Sequence, residues 1–394
     1  MNKSIQQFEL NPMIKKVLIG LMSIGLVVFI VGLFVEPERV WANFLISEFY
    51  LLSLGVGSGL FIASMYVSNA GWGTAIRRIP EAITSILPFA GVGALLLYLG
   101  IHSLYEWSHY AVVSEDPILS EKSPWLNEIF FMIRLVIYFS IWIWITKSIV
   151  KNSIKQDDDN DVKYTNYNVR NSAIFLVVGA ITFSFASFDM LMSLQPHWYS
   201  TVFGLLAISG MITSTFAVIT IILVYLRNNG YDQVITKDHM VTMGTLMMSF
   251  SVFWVYLWVS QHMLIWYANI PEETSYYAFR HFGGWGSLSF VNLILNWVIP
   301  FLILLPRAFK RNDKILLYAS IILVIGHWLD LYILVMPSSM GSLPQLGIWE
   351  IALFAGAMAL VFWIVALSLS KASIVPKNDP YLVESLPKLD ALKL

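Results

Sequence analysis

The chain has 394 residues, of which 57% are hydrophobic and only 12% are charged, and it contains no cysteine. So little charge cannot cover the surface of a water-soluble globule of this size, and the composition therefore indicates a polytopic membrane protein. The formal net charge of −1 gives no reason to expect a nucleic-acid partner, and the lack of cysteine excludes thiolate-bound iron–sulfur clusters, covalently attached c-type haem and disulfides from this chain.

Ten apolar stretches, each long enough to cross a bilayer as a helix, follow one another along the chain. We place them at 17–35, 41–68, 80–106, 125–149, 171–194, 200–226, 240–268, 284–306, 314–336 and 348–370. The sequence therefore predicts an all-α integral membrane protein with about ten transmembrane helices, which we number as spans 1 to 10. The one long linker is predicted at 150–170, where an acidic run at 157–161 indicates a solvated loop.

Positive charge is divided unevenly between the two sides of the predicted spans. Of the 24 Lys and Arg residues, all but four fall on one side, and the exceptions are Arg39, Lys122, Arg134 and Arg280. By the positive-inside rule the Lys-rich side is cytoplasmic. The charge pattern thus predicts that both termini lie in the cytoplasm.

Polar residues recur in the same order in two groups of four spans. Span 5 has Asp189 seven residues before Pro196, and span 9 has Asp330 seven residues before Pro337. Two further pairs occupy matching places, His102 with His262 in spans 3 and 7 and Arg134 with Asn292 in spans 4 and 8. Because an offset of four spans preserves the direction across the membrane, the pattern predicts a parallel repeat of two four-helix bundles.

This repeat divides the chain into four parts. Residues 1–40 form a cytoplasmic tail with flanking helix 1, and residues 41–199 form bundle A, which comprises spans 2–5. Residues 200–337 form bundle B, which comprises spans 6–9, and residues 338–394 form flanking helix 10 with a second cytoplasmic tail.

Ionisable residues inside the predicted spans are the functional candidates, because a charge in hydrocarbon is costly unless it is paired or hydrated. They lie toward the side that carries few Lys and Arg residues, and they are Glu48, His102, Glu106, Arg134, Asp189, His262, His327, Asp330 and Glu350. We expect them to form one cooperating polar layer.

Within this layer, spacing suggests particular pairs. His102 and Glu106 are four residues apart, and His327 and Asp330 are three apart, so each carboxylate can orient the imidazole on its own helix face. Arg134 needs an acidic partner, for which the candidates are Glu48, Asp189 and Asp330.

Structural explanations of the same residues remain open. One alternative is that the ion pair of Arg134 holds helices together and has no other role. Another is that Glu106 and Glu350 contact water at the lipid headgroups and have no other role. Haem ligation fits less well, because a di-haem bundle needs His pairs near both faces, whereas His102, His262 and His327 occur one per span in the same half.

Three stretches carry a resemblance to a known family. They are residues 187–201 (SFDMLMSLQPHWYST), 262–267 (HMLIWY) and 327–330 (HWLD) followed by Pro337. They resemble the membrane subunits of the polysulfide-reductase type, the NrfD-like family. Within this family the chain is most similar to the two such subunits of bacterial alternative complex III, and its modest length favours the F subunit over the C subunit.

The resemblance implies a membrane subunit of a quinol:cytochrome c oxidoreductase in the bacterial inner membrane, which is not catalytic alone. It implies menaquinol or ubiquinol as the substrate of the complex. The implied partners are a homologous NrfD-like subunit, an iron–sulfur subunit and c-type cytochrome subunits, which would carry the iron–sulfur clusters and haems.

We expect this chain to support proton translocation and assembly without holding a redox centre, a metal or a covalently bound cofactor. The candidates for proton relay are Asp189, Asp330, His327 and Arg134, and those on the quinol side are His102, Glu106, Glu48 and His262. Three alternatives remain: a subunit that itself oxidises quinol, a scaffold, and a secondary transporter with a parallel repeat, which would bind solute near the midplane between matching broken helices.

Overall fold

The computed structural model describes residues 8–281, 284–341 and 343–386. This part of the chain is all-α and contains ten helices long and apolar enough to cross a membrane, which confirms the predicted fold class of a multi-pass membrane protein. The helices are Pro12–Val35, Pro37–Val67, Arg78–Leu104, Glu128–Gln156, Lys163–Leu194, Phe203–Tyr231, Lys237–Ala268, Trp285–Leu304, Asp313–Val335 and Ile348–Leu369.

The linker predicted at 150–170 is shorter than expected: only 157–162, which contains the predicted acidic run, lies outside the helices. Span 4 continues to Gln156 and span 5 begins at Lys163. Polar side chains join the two helices beyond their apolar parts: Asn168 donates to the carbonyl of Ile149 at 3.1 Å, and Gln156 donates to Thr165 at 2.9 Å. Because hydropathy detects only the apolar part of a helix, these polar turns resemble a loop in the sequence.

Helices pack in the same order in the two groups of four spans. Span 2 packs against spans 3 and 5, and span 4 also packs against spans 3 and 5. Likewise span 6 packs against spans 7 and 9, and span 8 packs against the same two. Spans 2 and 6 contact each other, and spans 1 and 10 pack together beside span 2. The pattern of contacts therefore repeats from one group to the next.

Span 2 is the central helix of the molecule. Its most apolar window is 100% buried, whereas the corresponding windows of the other spans are 22% to 78% buried. A Cβ atom on Gly57 would lie only 2.3 Å from Oγ1 of Thr215 in span 6, so glycine permits this close approach. Glu48 in this part of span 2 consequently faces protein rather than lipid.

The end of the bundle at which span 4 ends and span 5 begins carries most Lys and Arg residues, and we call it the basic end. Three residues that the charge count assigns to this side, Lys3, Lys388 and Lys393, lie outside the described residues. The other end of the bundle is called the opposite end.

The chain after span 10 folds back across the basic end. Arg77 donates to Asp379 at 2.5 Å, and Ser385 donates to the carbonyl of Trp72 at 2.7 Å. Burial alone would lower the pKa of Arg77, but its interactions with Tyr66 and Asp379 raise it overall. The guanidinium of Arg77 therefore remains protonated. Its ion pair with Asp379 connects residues 370–386 to the helices.

Candidate functional site

Asp189 in span 5 forms a bidentate ion pair with Arg134 in span 4. The guanidinium donates from Nε to Oδ2 at 2.8 Å and from Nη2 to Oδ1 at 2.9 Å. Asp189 is 1% exposed and Arg134 is 4% exposed, so the pair is buried. The prediction that Arg134 has an acidic partner is confirmed, and of the three candidates the partner is Asp189.

Neutral groups complete the surroundings of this pair. Tyr138 donates to Oδ2 of Asp189 at 3.0 Å, and the indole of Trp125 donates to Oδ1 at 3.1 Å. Arg134 also donates to the carbonyl of Trp125 at 2.8 Å and lies 4.4 Å from its ring centre. Each carboxylate oxygen thus accepts two hydrogen bonds, and the charge of Asp189 is fully compensated.

Asp330 occupies the matching position in spans 6–9, but its partners are neutral. Asn292, which replaces Arg134 in the repeat, donates to Oδ1 at 2.8 Å, and Trp254 donates to Oδ2 at 3.2 Å. Asn296 in turn donates to the amide oxygen of Asn292 at 2.6 Å. In the part of the chain that the structure describes, no Lys, Arg or His nitrogen lies within 4.0 Å of the Asp330 carboxylate. Asp330 is therefore a buried acid without a cation.

His327 lies one turn from Asp330 toward the basic end. Both of its ring nitrogens are buried and have no hydrogen-bond partner among the described residues, so the predicted contact with Asp330 is not formed. The ring packs on Tyr50 of span 2, with ring centres 5.2 Å apart. It also lies against Gly210, where a Cβ atom would approach its Cε1 to 2.7 Å. Tyr50 and Gly210 were missed by the sequence analysis because neither residue carries a charge at neutral pH.

Glu48 lies on another side of span 2 from Tyr50, since residues two apart on a helix point about 200° apart. It is 2% exposed, and its Oε1 has no hydrogen-bond partner among the described residues. It faces span 3 at Gly93, where a Cβ atom would lie 2.1 Å from Oε2. No cationic nitrogen of the described chain lies within 4.0 Å of this carboxyl group.

Glu350 is buried, so contact with headgroup water is the wrong interpretation of this residue. Arg39 donates from Nε to Oε1 at 2.8 Å and from Nη2 to Oε2 at 2.9 Å. Asn43 and the backbone of Gly347 supply further hydrogen bonds of 3.0 and 2.7 Å. This pair joins span 10 to span 2, and like Asp189 it is compensated by an arginine.

The remaining candidates lie at the surface of the opposite end. The helix ends at Leu104, and an extended Tyr105 separates His102 from Glu106, so these two do not share a helix face as predicted. His102 is 61% exposed and instead lies 3.6 Å from Glu128.

His262 lies at the end of span 7. Its Nδ1 donates to the carbonyl of Trp258 at 2.6 Å, and its ring packs on those of Trp258 and Tyr277. It therefore belongs to an aromatic cluster at the opposite end.

The expected single cooperating layer is therefore wrong, because the ionisable groups are divided into two classes. Asp189 and Glu350 are neutralised by arginines, whereas Asp330, His327 and Glu48 are buried without an ionic partner in the described chain. Among the buried acids, protonation of Asp189 or Glu350 would break an ion pair, whereas protonation of Asp330 or Glu48 would not.

Arg280 contacts the end of span 9, but its terminal nitrogens donate to groups other than Asp330, and its Nε is buried without a hydrogen-bond partner among the described residues. It donates to the carbonyl of Leu334 at 3.0 Å and to the side chain of Gln195 at 2.9 Å, and it stacks on Tyr276 at 3.6 Å. Burial lowers its pKa. Arg280 thus caps the helix that carries Asp330 without pairing with it.

A cavity of about 290 Å³ opens beside the Asp189 pair at the opposite end. Its lining is largely apolar and includes Trp125, Phe188, Met192 and Trp198, with Asp189 at one wall. The described residues contain no group of three His, Asp or Glu side chains placed to hold a metal ion.

Comparison with known proteins found no match, either to a family model or to a curated protein.

Proposed function

We propose that this chain is a proton-handling membrane subunit of a respiratory quinol:cytochrome c oxidoreductase of the alternative complex III type, and that Asp330 is its proton-binding group. The observation that carries the proposal is the contrast between two matching acids. Asp189 pairs with Arg134, whereas Asp330 meets the neutral Asn292 at the corresponding place.

This contrast has a direct electrostatic consequence. Arginine retains its charge at all physiological pH values, so protonation of Asp189 would break its ion pair with Arg134. In the described chain Asp330 accepts hydrogen bonds from the neutral Asn292 and Trp254 and has no cationic partner. A proton can therefore bind to Asp330 without breaking an ion pair, which suits a residue that takes up and releases protons.

His327 and Glu48 are the further candidates for carrying protons to and from Asp330, and they lie on different sides of span 2. His327 is not hydrogen-bonded to Asp330, so transfer between them requires rotation of the imidazole or an intervening water. Because Gly210 has no side chain, the ring packs directly against the backbone of span 6. Glu48 projects from span 2 toward Gly93 of span 3, on another side of the helix from Tyr50, which contacts His327.

The respiratory assignment is supported by the resemblance of residues 187–201, 262–267 and 327–330 to the NrfD-like family. In the proposal, the basic end lies in the cytoplasm of a bacterium and both termini are cytoplasmic. A homologous membrane subunit, an iron–sulfur subunit and c-type cytochromes complete the complex and carry electrons from menaquinol or ubiquinol.

A second candidate function is oxidation of quinol by this chain itself. The cavity of about 290 Å³ beside Asp189 favours it, because an apolar pocket with one acidic group suits a quinol ring. We rank it second because the carboxylate is already committed to Arg134. A transporter with matching broken helices ranks lower, since span 3 is interrupted at several points whereas span 7 is one continuous α-helix.

The test replaces Asp330 by Asn in the intact complex and measures quinol:cytochrome c turnover and proton release in vesicles. The proposal predicts that proton release per electron falls while Asp330→Glu retains it. Unchanged turnover and unchanged proton release would instead support a scaffold role for this chain. Loss of solute uptake in cells with intact respiration would instead support the transporter.

A further inference from the structure

A groove at the basic end separates span 4 from the first part of span 3. Its volume is about 450 Å³. One wall is formed by Lys147, Lys151 and Lys155, and the other by Thr84, Ser85 and Pro88. We call it the lysine groove, and it lies far from the acids discussed above, at the other end of the spans.

The three lysines form one row along span 4. Their spacing of four residues places them on one helix face, over about 12 Å of the helix axis. All three are exposed, and no carboxylate oxygen of the described chain lies within 4.0 Å of their ammonium groups. By contrast, the neighbouring Arg78 is paired with Glu81 at 2.9 Å. The groove therefore presents three positive charges that no acid of the described chain compensates.

The surface between these charges is apolar. Val150 and Ile154 lie between the lysines in the row, and Pro88 faces them across the groove. Because the row lies on the end of a membrane-spanning helix, this apolar strip is positioned where acyl chains meet the headgroup layer. A ligand that fits must combine negative charge with long hydrocarbon chains.

We infer that the lysine groove binds an anionic phospholipid, with a preference for a lipid that carries two phosphates, such as cardiolipin. Basic pockets between transmembrane helices recognise such headgroups. A row of about 12 Å is longer than one phosphate group can contact, so two phosphates would use all three lysines. This inference depends on the membrane fold alone and not on the proposed respiratory function.

The test compares two variants of the full-length chain with the same loss of charge. One replaces Lys147, Lys151 and Lys155 by Gln. The matched control replaces three exposed lysines elsewhere at the basic end, which also have no carboxylate within 4.0 Å in the described chain: Lys16, Lys314 and Lys371. Delipidated protein in detergent is titrated with cardiolipin, and bound lipid is counted by native mass spectrometry.

We expect the groove variant to bind cardiolipin about 100-fold more weakly than the wild type, from about 1 kcal/mol for each lysine, while the control keeps the wild-type affinity. Phosphatidylglycerol should bind more weakly than cardiolipin, and phosphatidylcholine should not bind. Both variants should unfold at the wild-type temperature without lipid, because the replaced side chains are exposed.

Three results would overturn the inference. The first is an equal loss of cardiolipin binding in the groove and control variants, which would mean that the general positive charge of the basic end, and not the groove, attracts the lipid. The second is binding of phosphatidylcholine as tightly as cardiolipin. The third is binding of inorganic phosphate alone with the affinity of the lipid, which would identify a free-anion site.

Discussion

Replacing Arg134 by Met should destabilise the protein far more than replacing Asp330 by Asn. Arg134→Met leaves Asp189 without its cation at 1% exposure, where water cannot replace the lost interaction. Removing one partner of a buried ion pair typically costs about 3–5 kcal/mol, which is a factor of roughly 150 to 5000 in the unfolding equilibrium.

The matching acid provides the comparison. Asp330→Asn breaks no ion pair and alters only the hydrogen bonds from Asn292 and Trp254, so we expect a cost of about 1 kcal/mol. The double variant Arg134→Met with Asp189→Leu should recover most of the loss, because apolar residues of similar volume often replace a buried pair at little cost.

The assay is equilibrium unfolding in mixed detergent micelles, with all variants in the same detergent and at the same protein concentration. The reasoning would be refuted if Arg134→Met and Asp330→Asn were equally stable, or if the double variant were no more stable than Arg134→Met. Either result would mean that the Asp189 pair and the Asp330 site do not differ as their contacts indicate.

Two further perturbations test the surroundings of the site. Gly210→Ala places a Cβ atom 2.7 Å from the ring of His327, so we expect a loss of about 1–3 kcal/mol in the same unfolding assay, whereas an unchanged stability would mean that the ring moves freely. At the surface, the hydrogen bond from His197 at 2.6 Å lowers the pKa of Asp116 below its usual 3.8. The stabilisation from this bond is complete above pH 3.8, the usual pKa of Asp116, and is lost as the pH falls through the lowered pKa. Hydrogen exchange near Asp116 should therefore accelerate below about pH 4 in the wild type. The variant Asp116→Asn should lack this pH dependence. Equal exchange profiles for the two proteins would contradict this assignment.

Much of the fold could be predicted because the bilayer imposes simple rules. A helix must be apolar over about 20 residues to cross the membrane, so hydropathy located all ten spans. The cost of an unpaired charge likewise predicted an acidic partner for Arg134, and only the choice among three acids needed the structure.

What could not be predicted depends on contacts between distant parts of the chain or on local backbone geometry. Glu350 pairs with Arg39, which is 311 residues away, and no local pattern relates them. The separation of His102 from Glu106 depends on the extended backbone of Tyr105, which a helical reading of the sequence overlooks.

The division of the acids into paired and unpaired classes follows from such contacts. The sequence shows that Asn292 replaces Arg134 in the repeat, but the consequence for Asp330 is evident only once the two side chains are seen to be hydrogen-bonded at 2.8 Å.

The central claim is that Asp330, which has no cationic partner in the described chain, takes up and releases a proton. Infrared difference spectroscopy across a pH titration tests this directly, because a protonated carboxyl group has a C=O stretching band that the carboxylate lacks. The chain has 25 Asp and Glu residues, and the others also give such bands, so the titration of each variant is subtracted from that of the wild type. We predict that one pH-dependent carboxyl component is lost in Asp330→Asn and that none is lost in Asp189→Asn. An Asp330→Asn titration identical to that of the wild type, or a component lost only in Asp189→Asn, would contradict the claim.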